Sequence, residues 1–203
     1  MKAVVIHGAH DLRIESMAPA AAPAQGEVQV HVANGGICGS DLHYYLHGGF
    51  GAIRIREPMA LGHEVSGVVS AIGDGVEGLE VGDKVAVNPS RPCTACDYCL
   101  RGQPNQCLDM RFNGSAMRMP HEQGLFRAAL TLPATLVERF APEADLAFAA
   151  MTEPLAVCLH AVRQAGSLVG KTVLVAGSGP IGCLTIAAAR LAGATRIIAT
   201  DIS

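Results

Sequence analysis

The sequence predicts a β-rich domain followed by the opening β-α-β unit of a parallel α/β domain. Short valine-rich stretches separated by Gly-centred turns fill the first 140 residues, as at 27–32, 65–72 and 85–87, and many short strands with glycine turns indicate an antiparallel barrel or sandwich. From residue 144 the apolar pattern becomes helical. An apolar stretch at 171–176 then passes through Gly177-Ser178-Gly179-Pro180-Ile181-Gly182 into an apolar helix, and a further strand follows at 196–200. The expected domains are 1–150 and 151–203. The second is expected to be unfinished, because the sequence ends after two strands of what should be a larger sheet.

Taken in order, residues 2–6 and 12–15 read as a strand pair around the Gly8-Ala9-His10-Asp11 turn, and an Ala/Pro stretch follows at 17–24. Residues 27–32 alternate cleanly, which puts Val28, Val30 and Val32 on one buried face of a strand. One helical turn is expected at 41–46. Strands are expected at 65–72, 85–87, 124–129 and 135–139, and a cysteine lobe at 91–110. Helices are expected at 144–151 and 154–165, the second capped by Thr152 or Glu153 with Pro154 at its first position, where a missing N–H is harmless. Cys158 and Cys183 fall on apolar helix faces and read as core residues.

With 203 residues, half of them hydrophobic, the chain can bury a sizeable core. A net charge of -3 without a Lys/Arg cluster gives nucleic acid and anionic membrane no electrostatic claim on it, which leaves small-molecule chemistry. The amino terminus turns polar too soon for a secretory signal, and no run approaches the ~20 apolar residues of a membrane span. Of seven cysteines, four crowd between Cys93 and Cys107, which suits metal in a reducing compartment better than disulfides. A cytoplasmic protein is expected.

Three constellations carry the chemistry. The first is Cys38, His63 and Glu153, a sulfur, an imidazole and a carboxylate; this donor set suits a tetrahedral zinc with one position open. Cys38 lies in a Gly-rich stretch at the end of the alternating strand, and His63 opens the next strand within Gly62-His63-Glu64. The second is Cys93-x-x-Cys96-x-x-Cys99-x7-Cys107, four thiolates from one loop, the closed set of a structural zinc. A redox C-x-x-C is the weaker alternative, since that motif wants two cysteines at a helix start. The third is the glycine turn. Gly177, Gly179 and Gly182 allow backbone to approach a pyrophosphate at the helix start formed by Pro180 and Ile181. Asp201, nineteen residues beyond Gly182, stands where a carboxylate would bind a ribose diol and repel a 2′-phosphate, which favours NAD over NADP.

These motifs resemble the zinc-dependent medium-chain alcohol and polyol dehydrogenases. The match runs through Gly36-Ile37-Cys38-Gly39-Ser40-Asp41-Leu42-His43, Gly62-His63-Glu64, the cysteine lobe, Glu153-Pro154-Leu155-Ala156-Val157 and the 177–182 turn, and so covers the whole chain. The resemblance implies a GroES-like catalytic domain at 1–150, the start of an NAD-binding Rossmann domain at 151–203, two zinc ions per chain and a homo-oligomer, dimer or tetramer. Glu153 in place of a cysteine ligand points to the polyol branches. The stretches 88–93 and 105–117 resemble the branch that oxidises L-idonate; Arg111 or Arg118 could supply the cation its carboxylate needs. The resemblance also supports a proton relay from Ser40 to His43. It leaves Glu64 either as a transient zinc ligand or as a neighbour of the site, and gives Asp41 a part in orienting His63. Two rivals remain: the same chemistry on sorbitol, xylitol or threonine, and a zinc-stabilised binding module without catalysis.

Overall fold

Valine alternation builds the centre of the first half of the molecule. The computed structural model describes residues 1–202 and resolves into two units, Met1–Ala150 and Met151–Ser203. In the first unit β1 (Lys2–Gly8) and β2 (Asp11–Ser16) form a hairpin, and β3 (Glu27–Gly36) leads into α1 (Gly39–His47). The short pair β4 (Gly49–Phe50) and β5 (Ile53–Arg54) follows, then β6 (Met59–Ala60), which pairs with β1. Next come β7 (Glu64–Ile72), β8 (Lys84–Val87) and β9 (Ser90–Arg91). The lobe beyond β9 holds the single-turn helix α2 (Asp97–Leu100), and β10 (Arg111–Phe112) returns to pair with β9. The unit closes with β11 (Ala129–Pro133), β12 (Val137–Arg139) and α3 (Leu146–Ala150).

The main sheet is antiparallel, in the order β11-β3-β7-β8-β12. Its inner face buries Val28 and Val30 of β3, Val65 and Val69 of β7, Val85 and Val87 of β8, with Leu125, Leu130 and Val137. Each such side chain contributes about 1.5–3 kcal/mol relative to exposure. Val32 packs only partly against this core, because β3 is bulged between Val32 and Asn34. The extra residue bends the strand and re-aims its end.

Several boundaries differ from the sequence expectation. α1 runs nine residues rather than one turn and ends on Gly48, whose φ of 66° suits a left-handed stop. Residues 124–128 form no continuous strand. Their N–H groups instead bond the carbonyls of Ala60, Leu61, Gly62, Leu125 and Lys2, and the strand begins only at Ala129. Residues 134–136 make a 3-10 turn before β12, and the helix expected at 144–151 shortens to α3.

The second unit contains α4 (Thr152–Gln164), β13 (Thr172–Ala176), α5 (Pro180–Leu191) and β14 (Arg196–Thr200). Met151 occupies the cap position of α4, so Thr152 and Glu153 lie inside the helix and Pro154 is its third residue. β13 and β14 pair in parallel, Val173 opposite Ile197, over a small core of Leu168, Ala189 and Ala194. Cys158 is buried as expected, but Cys183 is exposed: its thiol faces the Ser178 carbonyl at the turn rather than the core. Among the described residues no helix is long and apolar enough to cross a membrane.

Candidate functional site

Antiparallel register brings the first set of donors together. Gly36 at the end of β3 pairs with Glu64 at the start of β7. Cys38 lies two residues beyond the one and His63 one residue before the other, so both emerge at the same end of the sheet. Ligand atoms of Cys38, His63 and Glu64 lie within 4.8 Å of one another. His63 and Glu64 are buried and Cys38 is half-buried.

Asp41 organises this convergence. In the first turn of α1, its Oδ2 accepts the Cys38 N–H at 3.0 Å and its Oδ1 accepts the Gly62 N–H at 3.2 Å. One buried carboxylate thus holds the backbone next to both the Cys38 and the His63 side chains. Gly62 adopts φ +88°, and a Cβ there would collide with the Phe126 ring, so glycine is required at this turn. The Phe112 ring packs against His63 with centroids 5.3 Å apart.

The electrostatics fit a cation. A hydrogen bond from His63, opposed by burial and helped by Ser40, holds the Cys38 thiol below its ordinary value. Burial pushes the carboxyls of Asp41 and Glu64 above theirs, although the nearby His63 opposes this in both. A thiolate, an imidazole and a carboxylate facing one point in a partly dry site form the donor set that zinc takes. Ser40 lies beside Cys38 in the first turn of α1. His43, one turn on and exposed, stands with its ring centroid 5.8 Å from His47 and 6.1 Å from Phe50. Glu153 lies in the first turn of α4, in the second unit.

The ligand atoms of Cys93, Cys96, Cys99 and Cys107 also gather within 4.8 Å. Backbone N–H groups point at the sulfurs: Cys93 to Cys107 Sγ at 3.1 Å, Cys96 to Cys93 Sγ at 3.3 Å and Asp109 to Cys107 Sγ at 3.3 Å. The N–H of Cys99 leads in drawing Cys96 down to about 6, whereas desolvation and the adjacent Cys96 push Cys99 up to about 12. Four sulfurs this close cannot all ionise unless a cation lies among them, and four thiolates with N–H donors suit a closed zinc site.

In the second unit Gly177 takes φ +98° and its N–H donates to the Thr200 carbonyl at 2.7 Å, which binds the turn to the end of β14. Gly179 caps α5 and Pro180 is its first residue, with Ile181 next. A Cβ on Gly182 would strike the Gly177 carbonyl, so the helix packs this close to the turn only with glycine there. Asp201 follows β14 and its Oδ2 accepts the Ser178 N–H at 2.5 Å, within the turn itself.

Neither arginine expected to meet a substrate carboxylate is uncommitted. Arg111 donates to Glu122 at 2.6 Å, and Arg118 to Asp109 at 2.5 Å and the Met110 carbonyl at 3.0 Å. The sequence reading missed Phe112, Glu122 and the reach of Asp41 to Gly62; none of these has a local spacing that would reveal it.

The chain matches the alcohol dehydrogenase GroES-like domain over residues 24–142, more than half its length. It is 47% identical over 174 residues to the L-idonate 5-dehydrogenase (NAD(P)(+)) of Escherichia coli strain K12, covering 86% of this chain and 50% of that protein. It is 41% identical over 198 residues to the probable D-xylulose reductase A of Emericella nidulans, covering 98% and 54%. The crystal structure of the Escherichia coli L-idonate 5-dehydrogenase superposes with a TM-score of 0.92 at 42% identity, over 100% of this chain and 57% of that one. The chain therefore spans about half the length of the curated relatives it matches.

Proposed function

Because this chain belongs to the zinc-dependent medium-chain alcohol dehydrogenases, we propose that it forms the metal-binding part, and the start of the NAD-binding part, of an enzyme oxidising a secondary hydroxyl of a polyol or sugar acid, L-idonate foremost. The observation that carries this is the meeting of Cys38, His63 and Glu64 donor atoms at one end of the main sheet.

In this reading Cys38 and His63 hold a catalytic zinc, Glu153 completes the set, and Glu64 ligates in turn or stands beside it. Cys93, Cys96, Cys99 and Cys107 hold a structural zinc. The chemistry supplied by a metal at the first site is Lewis acidity, which lowers the pKa of a bound hydroxyl. The overall change removes a hydride from the carbinol carbon to the nicotinamide and releases one proton. Ser40 Oγ would accept that proton while handing its own hydroxyl proton on, by way of the cofactor's ribose hydroxyls, toward His43, which would pass it to solvent. Asp41 holds the Cys38 and Gly62 backbones, so the donors need little reorganisation. Phe112 against His63 keeps water from one side of the imidazole. The 177–182 turn receives the cofactor pyrophosphate, and the charge on Asp201 favours NAD over a 2′-phosphorylated cofactor.

The test is metal content and NAD-linked turnover of the full-length protein on L-idonate, sorbitol, xylitol and threonine. Two zincs per chain, one lost in Cys38→Ala and one in Cys93→Ala, with L-idonate giving the highest kcat/KM, is the expected result. A single zinc lost only with Cys93 would overturn the catalytic site. Preference for xylitol would support the second reading, favoured by the 41% identity to the D-xylulose reductase across 98% of the chain. A Ser40→Ala enzyme whose turnover is unchanged across pH would remove the relay.

A further inference from the structure

The first unit also carries a concentration of positive charge that the proposed chemistry does not use. A cleft of about 490 Å³ beside β11 is lined by Arg91, Arg111, Arg127, His121, Glu122 and Glu27, and includes none of the residues proposed to hold metal. Glu122, 7% exposed, is held from both sides: Arg91 Nη2 donates to its Oε2, and Arg111 Nη1 to its Oε1 at 2.6 Å. Both ring nitrogens of His121 are engaged by backbone: Nε2 accepts the Arg56 N–H at 2.9 Å and Nδ1 faces the Arg118 carbonyl at 2.7 Å. Glu27 accepts the Ala24 N–H at 3.0 Å.

Arg127 is left over. Its Nε is fully buried and has no hydrogen-bond partner among the described residues, and no carboxylate there forms an ion pair with it. Burial first, and the charge of Arg91 second, pull its pKa below the ordinary arginine value. Buried N–H groups without partners are rare in native proteins, and a buried guanidinium is found paired. Arg91 and Arg111 share Glu122, and Arg127 lines the same cleft, wide enough for a small molecule, without an ion pair among the described residues. The missing element is an anion whose oxygens match the planar fork of an arginine.

We propose that this cleft binds a small oxyanion, a phosphate or carboxylate group, with Arg127 as its principal hydrogen-bond donor and Arg91 contributing from the rim. Such an anion would meet the part of the Arg127 side chain that lines the cleft and lower the repulsion between Arg127 and Arg91. Arg91 is 43% and Arg111 52% exposed in the side chain, so each keeps N–H groups that Glu122 does not occupy.

The experiment is calorimetric titration of the full-length, zinc-loaded protein with sodium phosphate and, separately, sodium acetate, at ionic strength held constant with chloride. Arg127→Met and Arg127→Lys are measured beside the parent, with Arg91→Met as a second variant if the first does not fold. Saturable binding of one anion, weakened at least about tenfold by Arg127→Met and less by Arg127→Lys, is expected; the tighter anion identifies the group recognised. If Arg127→Met does not fold, the same tenfold loss in Arg91→Met is the supporting result. No saturable binding of either anion would overturn the proposal. So would equal affinity in parent and variant, or a full-length structure with one of the protein's own carboxylates on Arg127.

Discussion

Asp41→Ala measures how firmly the sheet end holds the donors that it brings together. The side chain is 3% exposed and accepts the N–H groups of Cys38 at 3.0 Å and Gly62 at 3.2 Å. Alanine would leave both donors without an acceptor, at about 1–3 kcal/mol each. Part of this is offset, because burial has already raised the Asp41 pKa and its ionised form is held at some cost. The net loss should be about 2–3 kcal/mol. With a urea slope of about 2 kcal/mol/M, the unfolding midpoint of the first unit should fall by roughly 1–1.5 M. Asparagine keeps one acceptor but turns an NH2 toward the other N–H, so about half the loss is expected. Urea unfolding of the full-length protein followed by circular dichroism, with zinc content measured in parallel, reads both effects. If the alanine variant kept its midpoint within about 0.3 M and its full zinc content, the account of Asp41 as the clasp between β3 and β7 would be wrong.

Other substitutions probe separate parts of the argument. Gly62→Ala combines a φ of +88° with a collision against Phe126 and should cost about 3 kcal/mol or more, read as a lower thermal midpoint and loss of the Cys38-dependent zinc. Gly182→Ala would press a methyl group onto the Gly177 carbonyl; NAD affinity should fall at least about tenfold while both zincs stay bound, and an unchanged Kd would remove the turn from the cofactor site. Val85→Ala deletes two methyl groups from a fully buried position in the same core cluster as Val65 and Val69, and should lower stability by about 2 kcal/mol without changing metal content.

Each feature readable in the sequence is encoded within a few residues. Alternation placed Val28 and Val30 in the core because strand side chains change face at every residue. The lobe was legible because Cys93, Cys96, Cys99 and Cys107 all come from one short stretch, so their spacing is close to their geometry. The glycine turn was legible for the same reason. Expectation failed where a residue's partner is distant. Residues 124–128 carry strand-like composition, but their N–H groups are divided among Ala60, Leu61, Gly62, Leu125 and Lys2, so no continuous ladder forms. Cys183 lies on an apolar helix yet is exposed, since periodicity gives a face and not what covers it.

Composition, period and local spacing by themselves determined the β-rich first part, the β-α-β start of the second and the kinds of ligand each motif offers. Tertiary structure alone decided which of them meet. The bulged register of β3 against β7 set Cys38 beside His63 and Glu64, and Asp41 reached Gly62 across twenty-one residues. It also engaged Arg111 with Glu122 and left Arg127 Nε without a hydrogen-bond partner among the described residues. The physical reason is that charge and hydrogen bonding act over a few ångströms of space, and only the folded chain says which residues those ångströms contain.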